Sequence, residues 1–162
     1  GGYLTYSGGY HNISSNGPLR GQKGDMYEGG HRVPAIARWP GRIRPGVSSE
    51  TAMSFDLLPT FAGIAGAAER AGTLKLDGTS MSGALFDRKP LQARTLFWRM
   101  NEAKAVRQGE WKLVVTGKQE PELYNLQSDL GEKRDRAAEQ PEIRAKLLSQ
   151  LARWEADVGG AR

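Results

Sequence analysis

The chain changes texture at Arg94, and that change limits what it can fold into more than any other feature. Beyond it, "RTLFWRM", "KAVRQGEWKLVVT" and "PELYNLQ" are short runs rich in β-branched and aromatic residues, a composition that fits a pleated, half-buried strand. Gly109 falls between two of these runs, so Gln108-Gly109 or Gly109-Glu110 supplies a hairpin turn. Three to four antiparallel strands are expected. Pro141 then opens "PEIRAKLLSQLARWEADVGG", where Ile143, Leu147, Leu148, Leu151 and Trp154 recur at helical spacing and Gly159 supplies a stop. That stripe needs a surface to cover it, and the small sheet offers a face. Residues 95–158 are therefore expected to form a self-sufficient unit of antiparallel strands packed by a C-terminal helix.

The first part of the chain has less to pack. Residues 1 to about 32 are dominated by Gly, Ser, Asn and Tyr, with Gly-Gly pairs at 1–2, 8–9 and 29–30; a structureless run of that length usually marks function or disorder. "VPAIARWPG" predicts one buried strand closed by the Pro40-Gly41 turn. "SFDLLPTFAGIAGA" predicts a helix with Ser54 as N-cap, Asp56 in its first turn and Leu57, Leu58, Phe61, Ile64 and Ala65 on one face. Pro59, about one turn in, is expected to kink it slightly. Residues 67–94 read as loops with one short helical turn. One strand and one helix cannot cover each other's apolar surfaces well, so 1–66 is expected to be the end of something larger, with part of its core partner outside this stretch. The absence of a starting Met fits a piece of a longer protein. Apolar surface on "VPAIARWP" and "FDLLPTFAGIAG" is expected to make the chain self-associate.

Composition removes several classes of function. The 162 residues are 38% hydrophobic and 25% charged with four Trp, a globular rather than a disordered balance. No cysteine is present, which excludes a disulfide framework, a thiolate metal site and a cysteine nucleophile within this stretch. No apolar run approaches the roughly 18 residues of a membrane span, and the N-terminus lacks the pattern of a signal peptide. No membrane partner is expected, and the compartment stays open. The net charge is +5, but the basic residues alternate with acidic ones and form no stripe with interleaved aromatics, so no nucleic-acid partner is expected.

The chemistry-bearing stretch is "LRGQKGDMYEGG". No Lys-Ser or Lys-Thr pair follows a G-x-x-x-x-G here, so it is not a phosphate-binding P-loop, and it is no dinucleotide fingerprint either. Taken alone it reads as a surface loop with Lys23 solvated. The ordered set of stretches changes that. "NGPLRGQKGDMYEGGHRVPAIARWPGRIRPG", "MSFDLLPTFAGIAG", "LDGTSMSGAL", "AVRQGEWKLV" and "ELYNLQSDLGE" together resemble the C-terminal part of sulfatases, the arylsulfatase branch of the alkaline-phosphatase-like superfamily. The resemblance covers nearly the whole chain, and "RGQKGDMYEGG" followed by "RVPAIARWPG" is its most specific part.

The resemblance implies an α/β fold overall. Residues 1–93 would be the C-terminal end of the large α/β domain, and 94–162 a small antiparallel sheet-plus-helix subdomain, so that this stretch by itself is α+β. It implies that Lys23 reaches the sulfate group of the substrate; an ammonium in a closed pocket holds the non-bridging oxygens and offsets developing charge. Arg20, Glu28 and Arg32 are read as scaffold, with Glu28 pairing an arginine. His11 is a substrate-contact candidate, though for His11 and His31 alike an exposed or loop-packing imidazole is the plainer reading. Asn12-Ile13-Ser14 is formally a glycosylation sequon.

The remaining family machinery is expected outside this stretch. The resemblance implies a formylglycine nucleophile from a C/S-x-P-S/A-R motif, which does not occur here. It also implies a divalent metal, usually calcium, held partly by an Asp-Asn pair that Gly1-Gly2 would directly follow. Asp25 and Glu28 are too few for a hard cation, and Asp77 reads as a turn former, so no catalytic residue and no metal ligand is expected within the chain. The longer protein is expected to hydrolyse a sulfate ester or a sulfamate on a small molecule or carbohydrate, and this chain by itself to be inactive. The alternatives are a phosphoester or phosphonate hydrolase of the same superfamily, and a non-catalytic interaction module. The family is often periplasmic, secreted or lysosomal, and nothing in the chain chooses among these.

Overall fold

The computed structural model describes residues 2–6, 10, 11 and 14–159. Two short strands, β1 (Thr5–Tyr6) and β2 (Tyr10–His11), pair antiparallel, and a single helical turn, α1, covers Glu28–His31. A 3-10 turn at Ser54–Asp56 leads into α2 (Leu57–Ile64), followed by α3 (Ala68–Gly72) and α4 (Ser82–Asp87). Four strands follow: β3 (Thr95–Met100), β4 (Ala103–Gln108), β5 (Trp111–Thr116) and β6 (Glu122–Asn125). The chain closes with α5 (Pro141–Gly159). The four strands and C-terminal helix are those expected from the sequence.

Residues gather into two compact units, one of Gly1–Pro34 with Ala93–Arg162 and one of Ala35–Gln92. This groups the chain differently from the division into 1–93 and 94–162, because the first 34 residues keep company with the sheet.

In the first unit the sheet runs β3-β4-β5-β6 with every pair antiparallel. Gly109, at φ 60°, turns β4 into β5, a backbone conformation that glycine adopts without strain. Side chains alternate across the pleat. Val106, Leu113 and Leu123 point to one face, where Leu147 and Leu151 of α5 bury them, with Phe97 stacked on Trp154 at 5.1 Å between ring centres. Ala105, Val114 and Tyr124 point to the other, where they pack with Met26 and Leu126. Both faces of the sheet are therefore covered, one by α5 and one by the glycine-rich loop. The unit built from 95–158 is expected from the sequence to stand alone; Met26 and Tyr27 supply the second cover, and no periodicity in their loop advertises it.

In the second unit the helix N-terminus differs in detail. Ser54 opens the 3-10 turn instead of capping it, and the buried Asp56 carboxylate accepts the Met53 N–H at 2.7 Å and the Thr79 N–H at 2.9 Å. Thr60 Oγ1 accepts the Met81 N–H at 2.8 Å. Gly78 must be glycine, because a Cβ there would lie 2.2 Å from the Phe55 carbonyl oxygen. These contacts pin "LDGTSM" along α2. Pro59 falls in the first turn, where a missing N–H costs least, and two short helices, not one, occupy 67–94.

No strand forms over 33–40, contrary to the sequence pattern. Val33, Ile36 and Trp39 are exposed, Ile36 at 95%. A strand needs a ladder partner for its backbone groups, and this segment pairs with none. The stripe Leu57, Leu58, Phe61 and Ile64 of α2 is likewise exposed.

Burial separates the two halves energetically. Truncating Leu113 or Leu147 to alanine is expected to cost about 2–5 kcal/mol, whereas Phe61→Ala on the exposed stripe is expected to stay within about 0.5 kcal/mol. Urea unfolding of the three variants followed by circular dichroism checks the contrast.

Candidate functional site

The loop from Ser14 to Arg32 is shaped by contacts only glycine permits. Gly21 and Gly24 sit at φ 79° and 106°. A Cβ on Gly29 would lie 2.3 Å from the Gly21 carbonyl oxygen, and one on Gly30 would lie 2.0 Å from that of Asp25. The loop thus closes down on the Gly29-Gly30 pair. The Gly29 N–H donates to the Arg20 carbonyl at 2.7 Å, and the Asp25 carboxylate accepts the Gln22 N–H at 2.8 Å.

The loop is also tied to the start of the chain. The Lys23 N–H donates to the Gly2 carbonyl at 3.1 Å, and Gln22 Oε1 accepts the Leu4 N–H at 2.9 Å. Asn16 bridges both strands of chain: its Oδ1 accepts the Gly2 N–H, and its Nδ2 donates to the carbonyls of Gly2 and Gly21. The Lys23 backbone is therefore fixed while its side chain is exposed, Nζ lying 5.2 Å from the centre of the Tyr3 ring. The backbone of His11 pairs with Thr5; its side chain lies outside the described residues, as do Asn12 and Ile13 of the sequon.

Beneath this loop lies a buried charge cluster that the sequence did not announce. Lys112 has no exposed surface, and its ammonium donates to Glu28 Oε1 at 2.9 Å, lies 2.9 Å from Glu132 Oε1, and meets His31 Nε2 at 3.1 Å. An ammonium has three protons and accepts none, so toward Lys112 the Nε2 can only accept; the same nitrogen lies 3.3 Å from the Met26 carbonyl oxygen. The Glu28 N–H donates to Glu132 Oε2 at 2.6 Å. Arg32 and Arg107 approach the second oxygen of Glu28 at 3.6 and 3.8 Å. Beside the cluster, the Arg20 guanidinium lies over the Tyr27 ring and donates to the Tyr124 hydroxyl at 2.7 Å and the Glu132 carbonyl at 3.0 Å.

These neighbours set the protonation states. Burial alone would raise the Glu28 carboxyl, but the Lys112 ammonium and then His31 and Arg107 outweigh it, and the group is held below the ordinary range. Burial prevails at Glu132, whose carboxyl is raised in spite of the same ammonium. His31 is pushed down to about 4, by burial first and Lys112 second, so its ring is neutral at pH 7, stacked on Trp98 at 4.5 Å.

The structure therefore places the expected residues in two groups. Lys23 is a solvent-facing ammonium on a fixed backbone. Glu28 pairs arginines, as expected of a scaffold residue, although its closest cation is Lys112; Arg20 packs the same face of the sheet. Lys112 and Glu132 were missed. The signal for Lys112 was present in "EWKLVV", where strand alternation places it on the same face as the buried Val114, and an inward lysine requires a partner. Among the described residues no three His, Asp or Glu side chains converge as a metal would need. The residues in hand do not make a hard-cation site, and none is assigned to one.

The chain matches the model of the Sulfatase family over residues 3–67. It is 36% identical to the arylsulfatase A of Homo sapiens over 145 residues, covering 72% of this chain and 28% of the relative. It is 33% identical to a sulfatase of Formosa agariphila over 176 residues, covering 94% of this chain and 32% of the relative. The crystal structure of Ps i-CgsB in complex with k-i-k-neocarrahexaose superposes with a TM-score of 0.78 at 29% identity, over 88% of this chain and 33% of the other. The chain thus spans about a third of the length of these proteins.

The neutral His31 gives the stability of this chain a pH dependence with a definite sign. The unfolded chain takes up a proton near the ordinary histidine value of about 6.5 while the native ring resists until about 4, so acid favours the unfolded state between those limits. Wild type is expected to lose on the order of 2 kcal/mol relative to His31→Gln between pH 7.5 and pH 4.5. Urea unfolding of both proteins at those two pH values checks it.

Proposed function

Because this chain belongs to the sulfatase family, we propose that it is the C-terminal part of a sulfuric ester hydrolase and that Lys23 is its sulfate-holding residue. The observation that carries this reading is the posture of Lys23. Its backbone is anchored to Gly2 and its loop is closed on a glycine pair, while the ammonium itself is presented outward.

A sulfate ester bears negative charge on its non-bridging oxygens, and charge builds on the leaving oxygen as the S–O bond breaks. An ammonium held in place beforehand stabilises those oxygens without reorganising at the moment of reaction. A lysine on a slack loop would lose that advantage to the entropy of ordering it. The loop glycines and Asn16 supply the ordering in advance. The nucleophile and the cation belong to residues outside this stretch, and the chain alone is inactive in this reading. Ps i-CgsB was solved with a neocarrahexaose, which supports a carbohydrate as the natural substrate class.

The test uses the longer protein bearing this sequence, expressed with a formylglycine-generating enzyme and assayed on an aryl sulfate. Lys23→Ala is expected to lower kcat/KM by about 10²–10³-fold, with inorganic sulfate losing potency as an inhibitor in parallel. Unchanged turnover and inhibition would overturn the assignment. An aryl phosphate assayed beside it separates sulfuric from phosphoric ester hydrolysis.

The exposed apolar stripe of α2 and the exposed Val33, Ile36 and Trp39 support self-association of the isolated chain. Light scattering across a concentration series is expected to show mass rising with concentration; a constant monomer mass would contradict it.

A further inference from the structure

We propose that Lys112, on a strand of the C-terminal sheet, is the positioning residue for the Lys23 loop: its ammonium clamps Glu28, the residue around which that loop is folded, against the sheet. The functional half of this proposal rests on the reading of Lys23 as the sulfate-holding residue; the clamp itself does not.

Glu28 is gripped at two points by residues about a hundred positions away. Lys112 holds its carboxylate at 2.9 Å, and Glu132 holds its backbone N–H at 2.6 Å, while Lys112 and Glu132 are themselves 2.9 Å apart. All three side chains are buried. Directly after Glu28 come Gly29 and Gly30, and the carbonyls of Arg20, Gly21 and Asp25 lie on them with no room for a methyl group. Those carbonyls bracket Lys23 on both sides in sequence. A displacement of Glu28 is thus passed through rigid backbone contacts to the Lys23 position.

The chemistry of the cluster favours positioning over simple stabilisation. Burying an ammonium between two carboxylates carries a desolvation cost that apolar side chains of the same volume avoid, and such replacement is often neutral or stabilising. What the ions supply that an oily contact does not is one geometry, because the ammonium must hydrogen-bond Glu28 and His31 and lie against Glu132 at once. His31 also packs its ring on Trp98, so the same helical turn is fastened at both ends.

Three variants test this. Lys112→Met leaves two carboxylates buried without their cation, so the triple variant Glu28→Gln, Lys112→Met, Glu132→Gln removes the charges together and keeps the volume. Lys112→Arg keeps a cation in place. Hydrogen exchange on this chain reads the clamp. In the triple variant the Lys23 and Gly29 amides are expected to exchange at least about 10-fold faster while the β4 and β5 amides stay within about 2-fold of wild type. Loop amides that keep their protection while the charges are gone would overturn the clamp.

Turnover of an aryl sulfate by the longer protein reads the positioning. Lys112→Met is expected to lower kcat/KM by about 10-fold or more with Lys112→Arg recovering part of it. Full activity in Lys112→Met alongside an impaired Lys23→Ala would overturn the positioning role. Full activity in Lys23→Ala would overturn the sulfate-holding reading and with it the functional half, leaving the clamp to stand or fall on the exchange data.

Discussion

A lysine ammonium without accessible surface needs partners for its charge and its protons, and Lys112 hydrogen-bonds Glu28 and His31 and ion-pairs with Glu132. The three partners come from two regions far apart in sequence, the glycine-rich loop and the turn after β6, and Lys112 itself lies on the strand between them in space. Removing the ammonium leaves two buried carboxylates without the cation between them, which is among the costlier faults a fold can carry. The first 34 residues are therefore bound to the sheet by an electrostatic requirement as well as by the burial of Met26 and Tyr27.

That arrangement explains how a loop so poor in apolar residues is held in one shape. Its glycines allow backbone to lie on backbone at Gly29 and Gly30, Asn16 ties it to Gly2, and Arg20 spreads over Tyr27 while reaching Tyr124. Lys23 alone among the loop's non-histidine cations has an exposed side chain that meets no carboxylate within ion-pair distance among the described residues, whereas Arg20 and Arg32 reach Glu122 and Glu28. A cation kept apart from carboxylates on a rigid support is suited to an anion that arrives from outside.

Much of the sheet and helix was legible in the sequence because their burial is periodic. Val106, Leu113 and Leu123 alternate along strands, and Leu147 and Leu151 recur at helical spacing, so each residue's neighbours in sequence announce its face. The loop's packing was illegible for the opposite reason: Met26 and Glu28 are buried, and Tyr27 partly buried, by contacts with no period, set by partners about a hundred residues away. "VPAIARWP" misled in the other direction. Its composition is that of a strand, but a strand is completed by its neighbour's hydrogen bonds, and over 33–40 the backbone pairs with no ladder, leaving Ile36 exposed. The Lys23 assignment came from resemblance, since nothing in composition or spacing separates it from an ordinary solvated lysine, and the inward lysine at 112 was the overlooked local clue.

In the proposed function, this loop presents Lys23 to a sulfate group. A crystal structure of the longer protein with inorganic sulfate in its active site tests it most directly. The expected result is Lys23 Nζ about 3 Å from a sulfate oxygen, with Glu28 still held by Lys112; a bound sulfate with Lys23 turned away into solvent would contradict it.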